Sequence, residues 1–141
     1  MEKIMICFYA PANFGKTSSI RKVSKMLDGT HHMLEDDDDF VEVIDKDGIR
    51  IGLSSKGDPN SNAEGIKKLI KENCGIIVCA SRTRGGTVDI VQQLAKENDF
   101  KVIWLSPISV YDDNQKEYFD LCHTKNAEAT IAIIQSMIIG S

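Results

Sequence analysis

The stretch Ala10-Pro11-Ala12-Asn13-Phe14-Gly15-Lys16-Thr17 leaves this chain few options. It reads A-x-x-x-x-G-K-T. Ahead of it stands an apolar run of strand length, Ile4-Met5-Ile6-Cys7-Phe8-Tyr9. Behind it, Thr17 to Leu27 carries Ile20, Val23, Met26 and Leu27 at three- and four-residue spacing, the period of an amphipathic helix. A strand feeding a tight loop that opens a helix can turn backbone N–H groups inward on a phosphate chain. The helix N-terminus adds unpaired N–H groups and the positive end of its dipole. Gly15 lets the backbone come close to phosphate without a side chain in the way.

The pattern is that of a P-loop, with Ala10 where the first glycine usually stands. The residues expected to hold the cofactor are Ala12, Asn13, Phe14, Gly15, Lys16, Thr17 and Ser18. Lys16 is expected to reach the β- and γ-phosphates of ATP, and the Thr17 hydroxyl to bind Mg²⁺.

At 141 residues the chain reads as a single domain, 1–141. That length buries about two-thirds of the unfolded surface, enough for a core without staples. The net charge of −4 gives no general basic footprint, so neither nucleic acid nor an anionic membrane is expected as a partner. A small anionic ligand at one local positive site fits better. The spacings of Cys7, Cys74, Cys79 and Cys122 match no zinc pattern. Cys7 and Cys79 fall in apolar runs, where a thiol packs as a small hydrophobe. All are expected to be reduced, which implies a cytoplasmic protein. The first apolar run is too short for a signal peptide, and no stretch has the length of a membrane span.

Along the rest of the chain, Asp28-Gly29 stops the first helix. Thr30 to Asp39 has no apolar period; with His31-His32 and Glu35-Asp36-Asp37-Asp38-Asp39 it reads as an exposed, self-repelling loop rather than a metal site. Phe40 to Ile44 and Ile49 to Leu53 flank Asp45-Lys46-Asp47-Gly48, the signature of a hairpin. A helix is expected over Ala63 to Glu72, a buried strand over Gly75 to Ala80, a helix over Val88 to Asn98 and a strand over Lys101 to Leu105. A short helix fits around Gln115 to Cys122, and a last helix from Asn126 to Ile139. Trp104 is expected in the core. The alternation predicts an α/β fold: a three-layer α/β/α sandwich on a mostly parallel sheet of about five strands, with a β-hairpin at one edge.

In such a sheet, ligands bind at the carboxyl ends of the strands. Phosphoryl transfer also needs a carboxylate to hold Mg²⁺ or its water. The strand ending Cys79-Ala80-Ser81 supplies none. Asp58, shortly after the strand Ile49 to Leu53, is the first candidate for the metal and for catalysis; Asp45 is the weaker one, being explained by the hairpin. Arg82 and Arg84 follow a strand end beside two glycines, where a guanidinium could clamp a substrate phosphate or stabilise transferring charge. The predicted catalytic set is therefore Lys16, Asp58, Arg82 and Arg84. Adjacent helical residues point about 100° apart, so Cys122 and His123 are not read as a nucleophile and its base.

The P-loop and the segment Ile76 to Arg84 together resemble the P-loop nucleoside triphosphate hydrolase superfamily, loosely its small-molecule kinases such as gluconate or adenylylsulfate kinases. There too a strand ends in small residues and arginines follow. The resemblance implies ATP-dependent transfer to a small-molecule or nucleotide acceptor. Such kinases usually carry an arginine-bearing lid after the next strand, whereas Ser106 to Lys125 contains no arginine. The hairpin is also similar to that of small GTPases, but no N-K-x-D follows a strand, which favours ATP over GTP. A nucleotide-binding switch module and a simple ATPase are the alternatives.

Overall fold

The computed structural model describes residues 2–11, 14–30, 39–83, 85–110 and 113–139. Its strands are β1 (Lys3–Tyr9), β2 (Val41–Lys46), β3 (Ile49–Ser54), β4 (Ile76–Ser81) and β5 (Phe100–Leu105). Its helices are α1 (Lys16–Met26), α2 (Pro59–Lys71), α3 (Thr87–Glu97) and α4 (Phe119–Ile139), the last preceded by a 3-10 turn over Asp113–Tyr118. No helix among the described residues is long and apolar enough to cross a membrane.

Continuously apolar strands need cover on both faces, and the chain supplies it. Ile4, Ile6 and Phe8 of β1 and Ile76, Val78 and Ala80 of β4 pack against Ile20 and Val23 of α1 and Ala127 and Ile134 of α4. The intervening residues Met5, Cys7, Ile77 and Cys79 face the other way, onto Ile66 and Leu69 of α2 and Val91 and Leu94 of α3. Each fully buried aliphatic side chain contributes roughly 1.5–3 kcal/mol of transfer free energy, which fixes the register of the central strands.

The sheet order is β2-β3-β4-β1-β5. β1 runs parallel to β4 and β5, and β3 runs parallel to β4; β2 and β3 are antiparallel. The α/β class, the mostly parallel sheet and the edge hairpin thus agree with the pattern of the sequence. Asp47 and Gly48 both take left-handed backbone, φ 53° and 79°, as a type I′ hairpin turn requires.

Two helix starts differ from expectation. α2 begins at Pro59 rather than Ala63, because Asp58 stands in the extended N-cap conformation and Pro59 occupies the first helical position. Asn62, just ahead of the expected start, lies inside the helix; its amide donates to the carbonyls of Ala80 and Lys56, at 2.8 and 3.2 Å. α4 begins at Phe119 rather than Asn126, so its first turns are helical although they lack a clear apolar period. Trp104 is a correction: it is 37% exposed and meets Tyr9 edge-to-face, ring centroids 5.9 Å apart. β5 is an edge strand, and its carboxyl end lacks the two-sided cover of β1 and β4.

Candidate phosphate-binding site

Because β1, β3 and β4 are parallel, their carboxyl ends meet at one edge of the sheet. The hairpin brings the first residue of β2 to the same edge, Val41 lying opposite Ser54. A cleft of about 420 Å³ opens there. Gly15, Lys16, Thr17 and Ser18 form its floor, Asp39 and Ser55 one wall, and Arg82, Phe119 and His123 the other sides. The size is that of a small-ligand site.

Gly15 has φ 75° and ψ 20°, and its carbonyl accepts the first α1 hydrogen bond from Ser19 N–H at 2.9 Å. A Cβ there would overlap Nε2 of His123 and stand 2.7 Å from its Cδ2. The left-handed backbone therefore favours glycine, and any Cβ would also require the His123 ring to move. Ala10, by contrast, is not among the residues with positive φ, so this backbone does not require glycine at the first position of the motif.

The Lys16 side chain is buried at the ends of β1 and β4. Its ammonium donates to the carbonyls of Ala10, of Pro11 at 3.2 Å and of Ser81 at 3.1 Å. Burial, reinforced by the nearby Arg82 charge, pushes its pKa down to about 8. A phosphate beside it would restore the charged form.

The Thr17 hydroxyl donates to Asp39 Oδ1 at 3.1 Å, and the Ser55 hydroxyl donates to the same oxygen at 3.2 Å. Asp39 is held in place by its neighbour. Phe40 N–H donates to Ser55 Oγ at 2.8 Å, and Ser55 N–H returns a bond to the Phe40 carbonyl at 3.0 Å. Three residues on from Asp39, Glu42 accepts from Ser24 Oγ at 2.6 Å and from Thr30 N–H at 2.7 Å, tying α1 to β2. A hydroxyl beside a fixed carboxylate is a hard-oxygen pair suited to Mg²⁺, which takes one or two carboxylates and completes its shell with phosphates and water. Among the described residues no group of three or more His, Cys, Asp or Glu forms a closed metal site. The pair of oxygens suits a metal held jointly with phosphates, not an all-protein cage.

Arg82 lines the cleft and pairs with Asp58, Nη2 to Oδ1 at 2.8 Å, both side chains exposed. Asp58 thus stands at the mouth with the arginine, while the carboxylate beside Thr17 is Asp39. Asp45 is remote, ion-paired with Arg50 at 2.9 Å at the other end of the hairpin. Ala12, Asn13 and Arg84 lie outside the described residues, as do His31, His32 and the acidic residues 35–38.

Asp39 and His123 are site residues that local sequence patterns do not reveal. The signal for Asp39 was the hairpin, which folds the start of β2 back beside the end of β3. His123 reaches Gly15 from α4; burial lowers its pKa, with Asp120 acting in the opposite sense and Lys22 in the same sense. Cys122 next to it is buried. Behind these residues, Asn126 joins three segments. Its side chain accepts from Ile108 N–H at 2.7 Å and donates to the Ile108 carbonyl at 3.0 Å and to Ser19 Oγ at 3.2 Å.

The chain matches no protein-family model, no curated protein and no solved structure. Any functional reading therefore stands on the residues of this cleft.

Proposed function

We propose that the chain is a P-loop protein that binds ATP with Mg²⁺ and transfers a phosphoryl group to a small molecule or nucleotide. The observation that carries this reading is the bond between Thr17 and Asp39 beside buried Lys16, in one cleft at the carboxyl edge of the sheet. Bound Mg²⁺ would neutralise charge building on the phosphates. Thr17 and Asp39 would hold it, Asp39 taking the part that the sequence pattern gives to Asp58. Lys16 would sit against the β- and γ-phosphates, its ammonium exchanging bonds to the Ala10, Pro11 and Ser81 carbonyls for bonds to phosphate oxygens, since those carbonyls take all three of its N–H donors. Arg82 would anchor the acceptor or the transferring group, and Asp58 would orient Arg82 and accept the acceptor's proton.

The same bond supports a second reading, a nucleotide switch. A ligand that claims Thr17 competes with its bond to Asp39, and so couples occupancy to the segment leading into β2. A simple ATPase lies between the two. Calorimetry with MgATP, followed by ATP consumption against nucleosides, nucleotides, sugars and small acids, separates them. Turnover stimulated by one acceptor class is the expected result. Tight binding without turnover would favour the switch, and no binding would end the nucleotide reading.

A further inference from the structure

The phosphate cleft has a polar floor and one apolar side. Of the described residues that line it, Phe119 alone brings a wholly apolar side chain. A phenylalanine contributes to folding chiefly by covering its ring, so such rings ordinarily end in a core. Phe119 is half-buried, yet it packs in neither hydrophobic core and meets no other aromatic ring among the described residues. What its ring faces is the cleft.

The start of α4 sets the place of that ring. Phe119 and His123 stand four residues apart, so they share one face of the helix. His123 lies against Gly15, and Phe119 continues the same face one turn away from it. Ties to α1 hold this part of α4. Lys22 pairs with Asp120 at 2.7 Å, and Asn126 donates to Ser19 Oγ at 3.2 Å. Tyr9 and Trp104, the exposed aromatic pair near this edge of the sheet, are turned elsewhere. Alternation along β1 places Tyr9 on the face of Met5 and Cys7, which packs on α2 and α3.

A ligand that fills this cleft has two unlike ends. One is anionic, for Lys16 and Thr17. The other offers a flat face to a phenyl ring. A sugar or an aliphatic acid lacks that face, whereas every nucleobase has one and stacks on aromatic side chains. We propose, resting on the nucleotide reading, that Phe119 seats the base of the bound nucleotide, so that the cleft prefers a nucleoside polyphosphate to a bare polyphosphate.

Calorimetry with the Mg²⁺ complexes of ATP and of tripolyphosphate tests this, the second probe having phosphates without ribose or base. The quantity to read is the ratio of the two affinities. In the wild type ATP should bind about fivefold or more tighter. Phe119→Ala should cut that ratio by about fivefold or more, with the loss confined to ATP. Tripolyphosphate should change by less than about twofold and so report a folded site. Phe119→Tyr keeps the ring face and should restore the wild-type ratio. A ring that only props up the site would lower both probes together, and tyrosine would not rescue the ratio. Either of those results overturns this inference and leaves the nucleotide reading standing. So does a ratio untouched by Phe119→Ala, or equal affinity of the wild type for both probes. Absence of ATP binding overturns the nucleotide reading as well.

Discussion

Lys16 sits between opposing demands. Burial and Arg82 disfavour its charge, holding the pKa near 8, yet phosphate binding needs the ammonium. In the free protein the charge is complete well below pH 8 and fades as the pH rises through it. ATP affinity should therefore be highest below about pH 8 and weaken toward pH 9, as calorimetry at several pH values would show. An affinity flat across that range would separate Lys16 from the phosphates. The same depression has a consequence for folding. Between about 8 and the ordinary value of 10.5 the unfolded chain holds more protons at this site, so its contribution to stability rises with pH across that window. Asp39 and Asp58 make a second contrast. Asp39→Asn should weaken the Mg²⁺-dependent part of ATP binding by about tenfold or more, because a charged oxygen beside Thr17 is lost. Asp58→Asn should leave that part intact and slow turnover instead. The reverse pattern, read from binding with and without Mg²⁺, would return the metal to Asp58. Asp39 escapes a residue-level reading because its local context, a run of acids, describes a solvated loop; only its place opposite the end of β3 makes it part of the site.

Elements deliver these residues to the site. The β2–β3 hairpin sets Asp39, and its turn depends on Gly48 at φ 79°, where an added methyl group would meet nothing within 4 Å. Gly48→Ala should thus isolate the backbone cost of left-handed conformation, about 1–2 kcal/mol by urea denaturation. A neutral substitution would mean that the turn relaxes into another type. α4 sets His123, and Asn126 ties that helix to α1 and to the Ile108 backbone. Asn126→Ala leaves the Ile108 amide and carbonyl without this partner and should cost about 2 kcal/mol or more, measured the same way. A loss below about 0.5 kcal/mol would show that the bonds are replaced. The strands, the hairpin and α1 were legible because their period and turn chemistry are local. The start of α4 was legible in part, as the short helix expected around Gln115 to Cys122; its unbroken run from Phe119 into Ile139 was not, since Phe119 to Lys125 has no clear apolar stripe and lies against α1, Lys22 meeting Asp120 at 2.7 Å.

At the scale of the whole molecule, the cleft and the core share the same strands. Cys7 and Cys79 are fully buried partners on neighbouring β1 and β4, with the end of β4 also supplying a carbonyl to Lys16. Hydrogen bonding with Cys79, together with burial, pushes the Cys7 thiol well above its ordinary range. Their labelling by a thiol reagent should require opening of the central sheet. A ligand that binds only the folded protein adds about 2.7 kcal/mol at 100 times its dissociation constant, so MgATP should slow labelling roughly 100-fold. Labelling unaffected by saturating MgATP would mean that these thiols open locally, without unfolding the site. The sequence alone determined the tight loop between strand and helix, the α/β alternation and the edge hairpin, because each is written in neighbouring residues or a short period. Which carboxylate meets Thr17, which histidine covers Gly15 and how Asn126 ties α4 to α1 were decided by tertiary structure. Those contacts join residues far apart in the chain, and only the burial of strands β1 and β4 between two helical layers brings them together.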